Sequence, residues 1–251
     1  MIHWLRAGLS AAALLGLVNS ASAQELVVNG DFSDTSLSRS GQFSNQVTGW
    51  TTEGYNFLFF GATSATSKTA TGSDPNLSLW GTYGTDGSTN GFTDSPNGGN
   101  FVGADGAYEV GAISQTILGL VAGQTYALSF EYAAAQQSGY TGDTTEKWDV
   151  SLGTTTIDTS VIQNPNHSFS GWYTDTFTYT ATAASEVLSF LAVGTPNGEP
   201  PFVLLDGVSL QATSATDIPE PSSLILIVGF AMAGVAHRLR GRSVRRSTAS
   251  A

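Results

Sequence analysis

Between Gln24 and Asp217 the chain holds nineteen carboxylates, three basic residues (Arg39, Lys68 and Lys147), one histidine and no cysteine. That inventory closes most catalytic routes. A Ser-His-Asp relay would have to be built on His167, which sits in an Asn-Pro-Asn-His-Ser turn, and a two-histidine metal site lacks its second ligand. Thiolate metal sites and cysteine nucleophiles are excluded outright. No glycine-rich loop follows a strand and opens a helix, so nucleotide binding has no support. A carboxylate pair hydrolysing a glycosidic bond is compatible with the residue types, but nineteen acidic residues offer many pairs and their spacing marks none. No catalytic residue is therefore assigned. Three basic against nineteen acidic residues leave a net charge of −16 on this segment. Such a surface repels phosphate backbones and anionic lipid, so nucleic acid is not an expected partner. Divalent cations are more natural guests, while solubility outside the cell accounts equally well for the acidity.

The elements that must carry these groups read as strands. Tyr126, Leu128, Phe130 and Tyr132 alternate with polar or small residues over 124–133, the period of two expected when one face is buried. Trp148, Val150 and Leu152 alternate in the same way, as do Tyr173, Phe177 and Tyr179. Apolar runs at 187–193 and 202–210 supply two more strands, and Leu26-Val27-Val28 before Asn29-Gly30-Asp31 reads as a first strand ending in a turn. Residues 54–100 are rich in Gly, Ser, Thr, Asn and Asp with brief apolar islands, and read as long loops joining short strands. Only 133–137 is a candidate, weakly, for helix. Trp50 and Trp148 are assigned to packing, and His167 to a solvated loop. The expected fold is all-β, an antiparallel β-sandwich of the jelly-roll type over residues 24–212, followed by a linker at 213–218.

The two ends are of another kind. His3 and Arg6 precede an apolar run from Ala7 to Val18, and Ala21-Ser22-Ala23 places small residues where a signal peptidase reads, so 1–23 is a signal peptide helix cleaved before Gln24. At the other end Pro219-Glu220-Pro221 precedes an apolar run from Leu224 to Ala236. Arg238, Arg240, Arg242, Arg245 and Arg246 follow it, five of the nine basic residues in the chain. The asymmetry orients this segment as a transmembrane helix with its arginines in the cytoplasm. Thirteen residues at about 1.5 Å each span roughly 20 Å of a core about 30 Å thick, which suits transient insertion better than a permanent anchor. The ordered triplet over 219–246, with a short tail at 247–251, resembles the PEP-CTERM sorting signal of Gram-negative bacteria. The resemblance implies an exosortase-like processing enzyme that acts near Pro219, membrane association before processing, and delivery to the envelope surface or extracellular matrix.

A second resemblance lies in the body of the chain. Residues 26–32, Gly49-Trp50, 98–102, 113–116, 123–126 and Leu205-Asp206-Gly207-Val208-Ser209-Leu210 are similar to successive strands of galactose-binding-like jelly rolls, a group that includes carbohydrate-binding modules and DUF642-like cell-wall proteins. It implies a structural calcium between the first turn and the last strand, held by Asp31 and Asp206 with Asp34 joining them. It also implies sugar binding on exposed aromatic faces, for which Trp80, Tyr83, Tyr140 and Trp172 are the candidates by their place in or beside loops. The expected function is that of a non-enzymatic exported surface or matrix protein associated with polysaccharide. Two alternatives stand beside it: a carbohydrate-active hydrolase using a carboxylate pair, and a surface protein with protein partners only.

Overall fold

A computed structural model describes residues 24–67, 77–82 and 89–213. The expected signal peptide, the expected sorting signal and Tyr83 lie outside the described residues. Among the described residues no helix is long and apolar enough to cross a membrane.

The alternating segments pair into two antiparallel sheets. The first has the order β1 (Gly41–Gln42), β3 (Asn56–Phe59), β4 (Phe101–Asp105), β12 (Pro201–Ala212), β6 (Thr125–Gln136), β10 (Tyr173–Thr180). The second runs β2 (Thr51–Thr52), β5 (Ile113–Leu118), β11 (Ser185–Thr195), β7 (Thr144–Leu152), β8 (Thr155–Asp158), with β9 (Ile162–Asn164) pairing the other half of β7's edge. From β4 onward the chain passes between the sheets at almost every connection, and β12 returns to lie between β4 and β6. This is the jelly-roll arrangement. Residues 133–136, the weak helical candidate, instead continue β6, because the backbone partners of Ala133 to Gln136 are waiting on β12. The one helix among the described residues, α1, is a single turn at Ala62–Ala65.

The inner faces meet in an aromatic core. Phe130 of the first sheet packs edge-on against Phe190 of the second at 5.2 Å between ring centres, and Trp148 meets Phe190 at 5.9 Å. Trp148 is fully buried and donates its indole N–H across the sandwich to the Leu204 carbonyl at 3.0 Å. Trp50 is also buried, with its N–H on the Asn29 carbonyl.

A second apolar layer covers the outer face of the first sheet. Phe57, Phe59, Phe101, Ala133, Ala135, Phe202 and Leu204 point outward there and are roofed by α1, Leu77, Leu79 and Phe92. Parts of 54–100 read from sequence as loops thus build a second core: the islands Phe57–Phe59 and Leu77–Leu79 are its walls. With apolar side chains facing both ways, the Phe202-Val203-Leu204-Leu205 run has no alternation because neither face of β12 meets water.

Candidate functional site

At one end of the sandwich β4, β6 and β11 finish while β3 and β12 begin, and the connecting loops enclose a cleft of about 310 Å³. Tyr55, Asp105, Tyr108, Gln137, Tyr140 and Asn197 supply its side chains. Beside it two strand ends meet through a glycine pair. Gly106 donates its N–H to the Pro201 carbonyl and accepts the N–H of Gly194, bringing the end of β4 against the end of β11. A Cβ on Gly106 would lie 2.4 Å from the Gly194 nitrogen, so only glycine permits this approach.

Each tyrosine has a separate anchor. The backbone of Tyr55 donates to the Glu109 carbonyl and accepts from Asp105, extending the β3–β4 ladder by one residue. Its ring meets that of Tyr108 edge-on at 5.3 Å and 87°. Tyr140 rides on the β6–β7 connection, whose course is fixed from outside by Trp80. The Trp80 indole donates to the Tyr140 carbonyl at 3.0 Å and stacks on the His167 ring at 3.8 Å. Tyr108 and Tyr140 remain 51 % and 41 % exposed, and Tyr173 on β10 is the other strongly exposed aromatic among the described residues.

Asp105 is only 2 % exposed. Its Oδ1 accepts the backbone N–H groups of Ala107 at 2.8 Å and Tyr108 at 3.1 Å, a local turn that follows directly from an Asp at a strand end. Its Oδ2 is buried and has no hydrogen-bond partner. Burial raises the carboxyl above its ordinary value, outweighing the two N–H donors. The cleft therefore presents aromatic walls and amide groups beside a buried carboxyl with one oxygen unpartnered, an arrangement suited to a ligand that offers apolar faces and hydrogen-bond donors.

Of the four aromatics expected to meet a ligand, Tyr140 lines the cleft. Trp80 does not; it stands behind Tyr140 and positions it. Trp172 is half-buried in the second apolar layer, edge-on to Phe101 at 5.5 Å with its N–H on the Thr93 carbonyl. Tyr55, within the 54–100 stretch read as loop, and Tyr108 are not among those four, because only the pairing of β3 with β4 brings their rings together and nothing local in the sequence marks it. His167 is not the solvated loop residue expected, since its Nε2 is buried and its ring lies under Trp80.

The expected calcium ligands sit at the other end of β12. Asp206 is fully buried, with Oδ1 on the Gly207 N–H and Oδ2 unpartnered, and burial together with the nearby Glu131 and Asp31 charges pushes it up to about 7. Asp31 accepts from Ser33 within its own turn. Asp34 is exposed, its main chain tied to Asn29. Among the described residues no three His, Cys, Asp or Glu side chains gather as a metal-holding group. Asp31, Asp34 and Asp206 thus do not form such a group, and no role is assigned to a metal here.

No protein-family model matches the chain, and no curated protein matches it. Solved structures with a similar arrangement include the carbohydrate-binding module TmCBM61 in complex with β-1,4-galactotriose, at 12 % identity and TM-score 0.41 over 76 % of this chain and 100 % of that one. A CBM4 structure is similar at 16 % identity and TM-score 0.32, over 74 % and 99 % of the two chains. The K1 cleaved adhesin domain of Lys-gingipain from Porphyromonas gingivalis W83 matches at 12 % identity and TM-score 0.41, over 66 % and 92 %. The fold assignment itself rests on the strand order and register given above.

Proposed function

We infer that this chain is a non-enzymatic exported protein whose jelly-roll domain binds carbohydrate in the cleft of Tyr55, Tyr108 and Tyr140. The observation that carries the reading is the convergence of two of the most exposed aromatics on a buried acceptor without a partner, flanked by Gln137 and Asn197. Sugars have apolar ring faces and a rim of hydroxyl donors, and the cleft complements both. The lining includes a single carboxyl, Asp105, whereas hydrolysis by a carboxylate pair needs two, which supports binding over turnover. Export rests on the basic and apolar start with its Ala21-Ser22-Ala23 site, and delivery to a Gram-negative envelope surface or matrix on Pro219-Glu220-Pro221 with the apolar run and arginines behind it. An exosortase-like enzyme is the processing partner in this reading.

Retention on the producer's own exopolysaccharide tests the binding. Tyr108→Ala and Tyr140→Ala are each expected to lower affinity roughly tenfold, about 1.4 kcal/mol, with little change in melting temperature because both rings are exposed. No retention of the unmodified protein, or variants that bind as well as it does, would remove the reading. The targeting half has its own readout. The mass of the mature chain is expected to lack residues 1–23 and the segment beyond the Pro219 region, and an intact polypeptide in the cytosol would contradict it.

A further inference from the structure

We propose that the cleft selects a sugar bearing a free ammonium group, an unacetylated hexosamine unit, with Asp105 as the residue that makes the selection. This rests on the carbohydrate reading and narrows it.

The argument begins with Asp105. Asp105 lines the cleft, and its buried Oδ2 has no donor from the protein, although Oδ1 beside it already takes two backbone N–H groups. A buried carboxylate is held poorly unless it gains both a hydrogen bond and a compensating charge. A neutral hydroxyl supplies only the first, while an ammonium group supplies both. The rest of the cleft agrees. No Lys, Arg or His lines it, so a uronate or sulfated sugar would find carboxylate without counter-charge. Glu109 lies against the Tyr108 hydroxyl and Glu199 anchors the Thr141 backbone beside Tyr140, adding negative charge at the rim. Tyr55, Tyr108 and Tyr140 provide π faces, which attract cations as well as sugar rings. The segment 24–217 as a whole, with nineteen acidic and three basic residues, draws a polycationic glycan toward it.

The test is calorimetric titration of the full chain with three tetramers of equal length: β-1,4-linked glucosamine, its fully N-acetylated counterpart, and β-1,4-linked glucose. The glucosamine tetramer is expected to bind at least tenfold more tightly than the other two. Asp105→Asn preserves an oxygen for the Ala107 and Tyr108 N–H groups and is expected to erase that preference, lowering affinity for the glucosamine tetramer to the level at which the same variant binds the two neutral tetramers. If either neutral tetramer binds as tightly as glucosamine to the unmodified protein, the ammonium inference falls and the carbohydrate reading stands. If none of the three binds while the native exopolysaccharide is retained, the inference also falls alone; if nothing is retained, both fall. A preference that survives Asp105→Asn would mean diffuse attraction to the acidic surface and would overturn the role of Asp105. A lysine tetramer that binds as tightly as the glucosamine tetramer would overturn selection of the sugar. The comparison among tetramers needs no variant, so it stands even if Asp105→Asn fails to fold.

Discussion

Trp148→Ala is expected to destabilise the domain by about 3–5 kcal/mol, enough to leave a domain of ordinary stability marginal or unfolded at room temperature. The side chain is fully buried at the centre of the sandwich, edge-on to Phe190, and its indole N–H holds the Leu204 carbonyl of the opposite sheet. Alanine would remove the ring, leave a cavity that rigid strands on both sides cannot close, and strip one acceptor of its donor. Trp148→Phe separates these contributions, since it keeps most of the packing and loses the hydrogen bond; a loss of about 1–3 kcal/mol is expected there. Urea unfolding followed by far-ultraviolet circular dichroism reads both. An alanine variant within 1 kcal/mol of the parent would mean that the two sheets do not depend on this contact.

The second large effect is on pH. Glu146 follows the same inward alternation as Trp148 on β7, is fully buried, and has one oxygen on the Thr144 hydroxyl and the other without a partner. Desolvation pushes it up to about 8 from an ordinary 4.5. Below pH 4.5 the carboxyl is neutral in both folded and unfolded chains and costs nothing. As pH rises the unfolded chain ionises first while the folded one must keep its proton, so stability falls continuously until about pH 8 and then levels. The loss is on the order of 4 kcal/mol for this one group. Glu146→Gln keeps an oxygen for Thr144 and needs no proton, so it is expected to stabilise the protein by a few kcal/mol at pH 8.5 and to change little at pH 4.5. Asp206, also raised by burial, leaves a smaller residual slope in the variant. Equal stability changes at both pH values would show that Glu146 is not held neutral.

The two predictions illustrate how far a strand's period carries. Residues 144–152 and 125–132 alternate, and the alternation alone says that Trp148 and Phe130 face inward. It says the same of Glu146, and there the sequence gives no hint that an acid stands where apolar residues are the rule. Its burial follows from its place in the register opposite Gly194 rather than from its chemistry. On β12 the period fails for a different reason. Phe202 and Leu204 meet the second apolar layer while Val203 and Leu205 meet the first, and a strand covered on both sides reads as an unpatterned apolar run.

What the amino-acid order determined by itself is the inventory and the local rhythm: a chain without cysteine, with one histidine between its two apolar ends, strongly acidic, with strands set by period-two burial. These are properties of single residues and near neighbours, and they need no partner to be read. The cleft was decided by tertiary structure alone. Tyr55, Asp105, Tyr108, Gln137, Tyr140 and Asn197 come from the ends of different strands, and each of those segments looks by itself like an ordinary turn. They meet because β12 returns between β4 and β6 and because Gly106 and Gly194 let two sheets touch at one end. Hydrogen-bond register fixes that meeting to within one residue, and a register is a relation between distant segments that no local pattern contains.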